Sequence, residues 1–233
     1  MNSLYRNLIS IAIAILPVNI WMIWYRLNQT ENFSTIDMTV YPLVVGGGIS
    51  ILILALNKYF LNQNFSTTFN HKNSNWLKDV GVGIALTVIY FILFFIERQT
   101  LYQWIPRTSP PNTEIIDVLR DLANNPLLLI LWFGPVLWIG IALFEELSRV
   151  FFLTCLWNLK KDKSWEIFSI LIVSTLIGFA HIYQGTAGII SIGIKSVVAC
   201  AYFYKYRRIL PLIISHGLYD GLQFMFFVLQ FQN

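Results

Sequence analysis

Charge is scarce in this chain. Only 12% of its 233 residues are Asp, Glu, Lys or Arg, against 56% hydrophobic residues and a mean hydropathy of +0.62. A soluble domain carries about 25% charged residues, so too few polar groups exist here to coat a water-soluble fold. Cysteine is nearly absent: Cys155 and Cys200 both fall in apolar stretches and read as small buried hydrophobes, not as a disulfide pair. Sustained period-two alternation is missing, which argues against a membrane β-barrel. Internal repeats of the sort that mark many transporters are missing as well.

What the chain does have is long apolar runs, at residues 7–25, 38–57, 78–97, 126–157, 165–183, 186–204 and 209–230. A helix needs about 20 such residues to cross a bilayer. The expected fold is therefore all-α, a polytopic bundle of about seven transmembrane helices in one integral membrane domain, residues 1–233. The first run nearly reaches span length and ends in Trp24-Tyr25-Arg26, so it reads as a membrane helix and not as a signal peptide.

The net charge of +4 does not point to nucleic acid, because the basic residues flank the apolar runs instead of forming one patch. One set of connections holds Arg6, Lys58, Lys72, Lys78, Lys160, Lys161, Lys163, Lys205, Arg207 and Arg208; the other holds Arg26, Arg98, Arg107 and Arg120. The positive-inside rule makes the richer set cytoplasmic, with the N-terminus inside and the C-terminus outside. His71, among Asn and Lys residues of that set, reads as a solvated loop residue.

The connection from 98 to 125 is broken by Pro106, Pro110 and Pro111. Beyond them Ile115, Ile116, Leu119 and Leu122 share one helical face, opposite Asp117, Arg120 and Asp121. A short interfacial helix, or one packed on the bundle, fits this pattern. The fourth run would be about 48 Å long as a helix, well over the ~30 Å core, with Gly134-Pro135 as a kink point.

Ionisable residues inside such runs are costly and mark functional sites by default. Three clusters qualify: Glu145-Glu146 with Arg149, then His181, then His216 with Asp220. Adjacent glutamates point about 100° apart on a helix, and Arg149 can pair with either at i+4 or i+3. The natural division is one glutamate for chemistry and one held by the arginine; a charge cluster that merely locks helices together is the alternative. His216 and Asp220, at i and i+4, share a face and suit either two metal ligands or a histidine beside an anionic partner. Taken alone, His181 is as consistent with a hydrogen-bonded interhelical residue. Lys195, in mid-span, could pair with Glu146 or Asp220 or snorkel to the surface.

The order of these motifs resembles the CPBP family, the Abi-like intramembrane proteases that process CAAX tails and bacteriocins. The resemblance covers roughly residues 126–230 and extends through the strings G-F-A-H-I-Y-Q-G at 178–185 and L-P-L-I-I-S-H-G-L-Y-D at 210–220. It implies a peptidase in which Glu145 activates a water with His181, while His216 and Asp220 stabilise the oxyanion or complete a metal site. Glu146 and Arg149 match positions that support the electrostatics. A divalent metal such as zinc, held by His181, His216 and Glu145, and a metal-free glutamate route both remain open; no H-E-x-x-H motif is present. Two departures stand out. The arginine follows the Glu pair after two residues instead of three, and Ile177 occupies the place of a phenylalanine, with Phe179 nearer the histidine.

The expected partners are a peptide or protein substrate, prenylated or not, and membrane lipid. The rival readings are a non-enzymatic scaffold or bacteriocin-immunity protein, and a proton-coupled transporter using the same groups as a relay.

Overall fold

A computed structural model describes residues 3–28, 34–70, 75–104 and 113–231. His71, Lys72, Pro106, Arg107, Pro110 and Pro111 lie outside the described residues. No strand occurs among those described, and seven helices are long and apolar enough to cross a membrane. We number the helices α1 (Ser3–Trp24), α2 (Thr35–Phe60), α3 (Trp76–Gln99), α4 (Thr113–Asn124), α5 (Pro126–Leu159), α6 (Lys163–Ala180), α7 (Gly185–Tyr206) and α8 (Leu210–Gln230). All but α4 are the spanning helices, and all seven apolar runs of the sequence fall on them.

Their ends follow local chemistry. The side chain of Ser34 accepts from the backbone of Asp37, whose carboxylate accepts in return from Ser34 N, closing a capping box on α2. Asn75 caps α3, and Asn125 caps α5 by accepting from the amides of Leu127 and Leu128, with Pro126 in the first turn where its missing N–H costs nothing. Within α5 the chain breaks helical geometry at Gly134 (φ −89°, ψ −110°), beside Pro135. The expected kink is there, and it turns the second half of the helix into the middle of the bundle.

That half, Phe144–Leu159, is buried on every side: Val150, Phe151 and Leu153 have no exposed surface. From Val150 to Trp157 every residue is buried, which places this stretch in the core. The rest of the bundle wraps it, with α6 against α7 and α3 against α8 as the largest helix–helix contacts. On α3 and α8, Thr87 Oγ1 donates to the carbonyls of Gly83 (3.0 Å) and Ser215 (3.4 Å). On α2 and α5 two glycines allow backbone contact: a Cβ on Gly140 would lie 2.8 Å from the Pro42 carbonyl, and one on Gly46 would run into the carbonyl of Gly140.

The amphipathic helix expected before the fourth run is α4. Its apolar face, Val118, Leu122 and Ala123, packs with Trp132, Val136, Leu137, Phe224 and Val228 into a second core cluster. Asp117 and Arg120 pair on the exposed face. Packing on the bundle is therefore realised. The basic connections also gather at one end: Arg6 donates to the Phe60 carbonyl at 3.3 Å, and Gln63, Lys161, Lys163 and Arg207 face one cavity.

Candidate active site

α5, α6 and α8 deliver the six polar residues singled out in the sequence to the wall of one cavity of about 580 Å³. Glu145 and Glu146 project from α5 just beyond its kinked half. His181 ends α6, where the chain leaves helical geometry (φ −98°, ψ 22°) and runs through a short turn into α7. That turn closes at Gly185, whose φ of +76° favours a residue without a Cβ. Gly217 lets the neighbour of His216 pack against Trp138, because a Cβ there would sit 2.6 Å from the indole.

The two glutamates are treated differently. Glu146 is only 2% exposed at its side chain; its Oε1 takes the Arg149 guanidinium and the His216 Nδ1, the latter at 2.7 Å. Glu145 is 22% exposed and faces the cavity, with Oε2 3.9 Å from His181 Nε2 and 3.8 Å from His216 Nε2. Those separations exceed a hydrogen bond, and each is a gap that one water spans with two bonds of about 2.8 Å. His216 Nε2 also lies 3.3 Å from Asp220 Oδ2. His181 Nδ1 meets the Ile177 carbonyl at 2.8 Å. A carbonyl only accepts, so Nδ1 carries a hydrogen, and Nε2 is the ring nitrogen turned towards Glu145.

The two departures from the family pattern can be located. Arg149, one residue early, still reaches a carboxylate, that of Glu146. Ile177 serves His181 through its backbone, which any residue could supply, while Phe179 is 46% exposed.

Lys195 corrects an expectation. Its ammonium donates to neither Glu146 nor Asp220 but to Glu97 at 2.8 Å and to Ser191 Oγ, and it lies over the Tyr219 ring. Ser191 in turn donates to Glu97. This buried group joins α3 to α7, and Ser191, Lys195 and Tyr219 all line the cavity. Glu97 went unnoticed because it abuts Arg98 at the end of a span, where charges are ordinary. The i, i+4 spacing of Ser191 and Lys195 was the available signal.

The remaining wall is largely apolar and aromatic, with Trp21 from α1, Tyr41 from α2, Phe94 from α3 and Trp132 from α5. Among the described residues no three His, Cys, Asp or Glu side chains are grouped to hold a metal ion. No step below passes through a metal.

Residues 126–222 match the family model for Rce1-like type II CAAX prenyl endopeptidases. This Rce1-like segment carries Glu145, Glu146, Arg149, His181, His216 and Asp220, and the match is consistent with a CPBP-family protease. It supports, in general terms, an integral multi-pass membrane endopeptidase of the CAAX type acting on a protein substrate. No curated protein and no solved structure matches the chain.

Proposed function

We propose that this protein is an intramembrane endopeptidase in which Glu145, assisted by His181, activates a water for attack on a peptide carbonyl. The supporting observation is the asymmetry of the glutamates: Glu146 is committed to Arg149 and His216, while Glu145 Oε2 faces two imidazole Nε2 atoms across water-sized gaps in a 580 Å³ cavity. A carboxylate so placed can accept the water's proton as the nucleophile forms, a role worth about 10²–10⁴ in rate. His216 is held by Glu146 at Nδ1, and its Nε2–H, 3.3 Å from Asp220, turns to the developing oxyanion and stabilises it as a donor held in place before reaction. The proton taken by Glu145 then passes to the leaving amine. Residues 126–230 form the catalytic core of a single membrane domain, with the N-terminus on the cytoplasmic side. The apolar wall suits a lipid-modified tail such as a prenylated peptide.

The test is cleavage of a mixed panel of prenylated and unmodified peptides by protein purified in detergent. Loss of cleavage in both Glu145→Ala and His181→Ala, with the rate unchanged by a chelator, is the expected result. Equal background in wild type and variants across the panel would remove the peptidase reading in favour of a scaffold.

A further inference from the structure

A second cavity, of about 590 Å³, opens at the basic end of the bundle between the end of α2, the end of α5, the start of α6 and the end of α7. It is separate from the candidate active site, since Asn158 on its wall stands 13 residues beyond Glu145 on α5, about 20 Å along the helix. The first cavity is mainly apolar; this one is lined by Gln63, Thr67, Asn158 and charged side chains.

The two connections that flank this cavity, 160–163 and 205–208, hold six basic residues, and three of them do not line it. Lys160 pairs with Asp162 at 3.2 Å, Arg208 pairs with Asp79, and Lys205 lies over the ring of Tyr206. The other three, Lys161, Lys163 and Arg207, make no ion pair among the described residues, and these three are the ones that line the cavity. Arg207 is fixed in place. Its backbone adopts the left-handed conformation (φ 53°) that ends α7, and its guanidinium stacks 4.0 Å above the Trp157 ring. Burial holds its pKa below the ordinary value, with the charge of Glu166 opposing the shift. Glu166 and Asp162 also line the cavity, but Asp162 is engaged by Lys160. Three unpaired cations thus face one unpaired carboxylate. Gln63 accepts from Thr68 Oγ1 through its Oε1, which leaves its amide N–H₂ to donate.

We propose that this cavity binds a phosphate group, presented by the headgroup of an anionic phospholipid at the bundle's edge. A phosphodiester carries one negative charge and several acceptors, which match a planar guanidinium, two ammonium groups and the surrounding donors. Its position where helices meet the basic connections is where such headgroups lie. The site does not depend on the peptidase reading.

The experiment is native mass spectrometry of the purified protein with phosphatidylglycerol and phosphatidylcholine in competition. In a parallel arm, thermal stability is measured with inorganic phosphate. Selective retention of phosphatidylglycerol is expected, weakened about fivefold by each of Lys161→Gln, Lys163→Gln and Arg207→Gln. Arg207→Lys, which keeps the charge, should recover part of the loss, and Lys58→Gln, at a basic residue outside the cavity, should leave retention unchanged. Equal retention of both lipids, or equal loss with Lys58→Gln, would overturn the proposal. Stabilisation by inorganic phosphate without any lipid preference would overturn the lipid assignment and leave a soluble-phosphate site. Lys58, Lys161 and Lys163 are exposed, so their variants read binding without loss of fold; Arg207 is partly buried on Trp157, so the melting temperature of Arg207→Gln is read beside its lipid retention.

Discussion

Two kinds of buried charge coexist in this bundle. Asp79 with Arg208, and Glu97 with Lys195, are buried one-to-one pairs between segments far apart in sequence. The cluster around Glu145 is different: three carboxylates share one arginine and two histidines, and it opens onto a cavity. A matched pair meets its own desolvation cost and has nothing left to offer a substrate. A surplus acid, held by its neighbours but not neutralised by them, is what a reaction can use. The difference separates fastening from chemistry without reference to any family.

The comparison breaks most sharply at Glu145. Glu145→Gln keeps shape and removes the base, so cleavage of the peptide panel should fall by about 10²–10⁴ while the melting temperature stays near wild type. Glu146→Gln is expected to act first on stability, leaving Arg149 buried without its ion-pair partner. Breaking one side of a buried pair costs about 3–5 kcal/mol, which a melting curve in detergent would register before any kinetic assay. If Glu145→Gln proved the more destabilising of the two, the division of labour between the glutamates would be lost.

The fastening pairs give the next test. Glu97→Gln should also destabilise by about 3–5 kcal/mol, and replacing both partners, Glu97→Gln with Lys195→Met, should recover most of it. Activity per folded molecule should change little in the double variant. A large loss there would move Lys195 from fastening to chemistry. The smallest effect expected is at Phe179, which faces outward: Phe179→Leu should alter cleavage and stability by less than about 0.5 kcal/mol.

Which parts were readable in advance follows the same division. The seven spans, the kink at Gly134-Pro135 and the helix before Pro126 are local matters of length, proline chemistry and one-face patterning, and each is written in consecutive residues. The link from Arg149 to Glu146 was also local, at i+3. Pairings between spans were not. Lys195 had several acids within reach on paper, and the one it uses lies 98 residues away in sequence. Asp79 and Arg208 met only through the fold. Motif order drew Glu145, His181 and His216 together as candidates, but only coordinates reveal that His216 stands between Glu146 and Asp220.

The contact between Gly46 and Gly140 has a consequence for heritable change. Gly140 sits five residues before Glu145 on α5, while Gly46 lies in the half of the chain that the family match does not reach. Neither position has spare room, so no residue larger than glycine at one can be offset by shrinking the other. A single added methyl at Gly46 pushes directly on the helix that carries the proposed base. Variation in the unmatched half is therefore constrained by the geometry of the proposed site, through a residue that has no side chain at all.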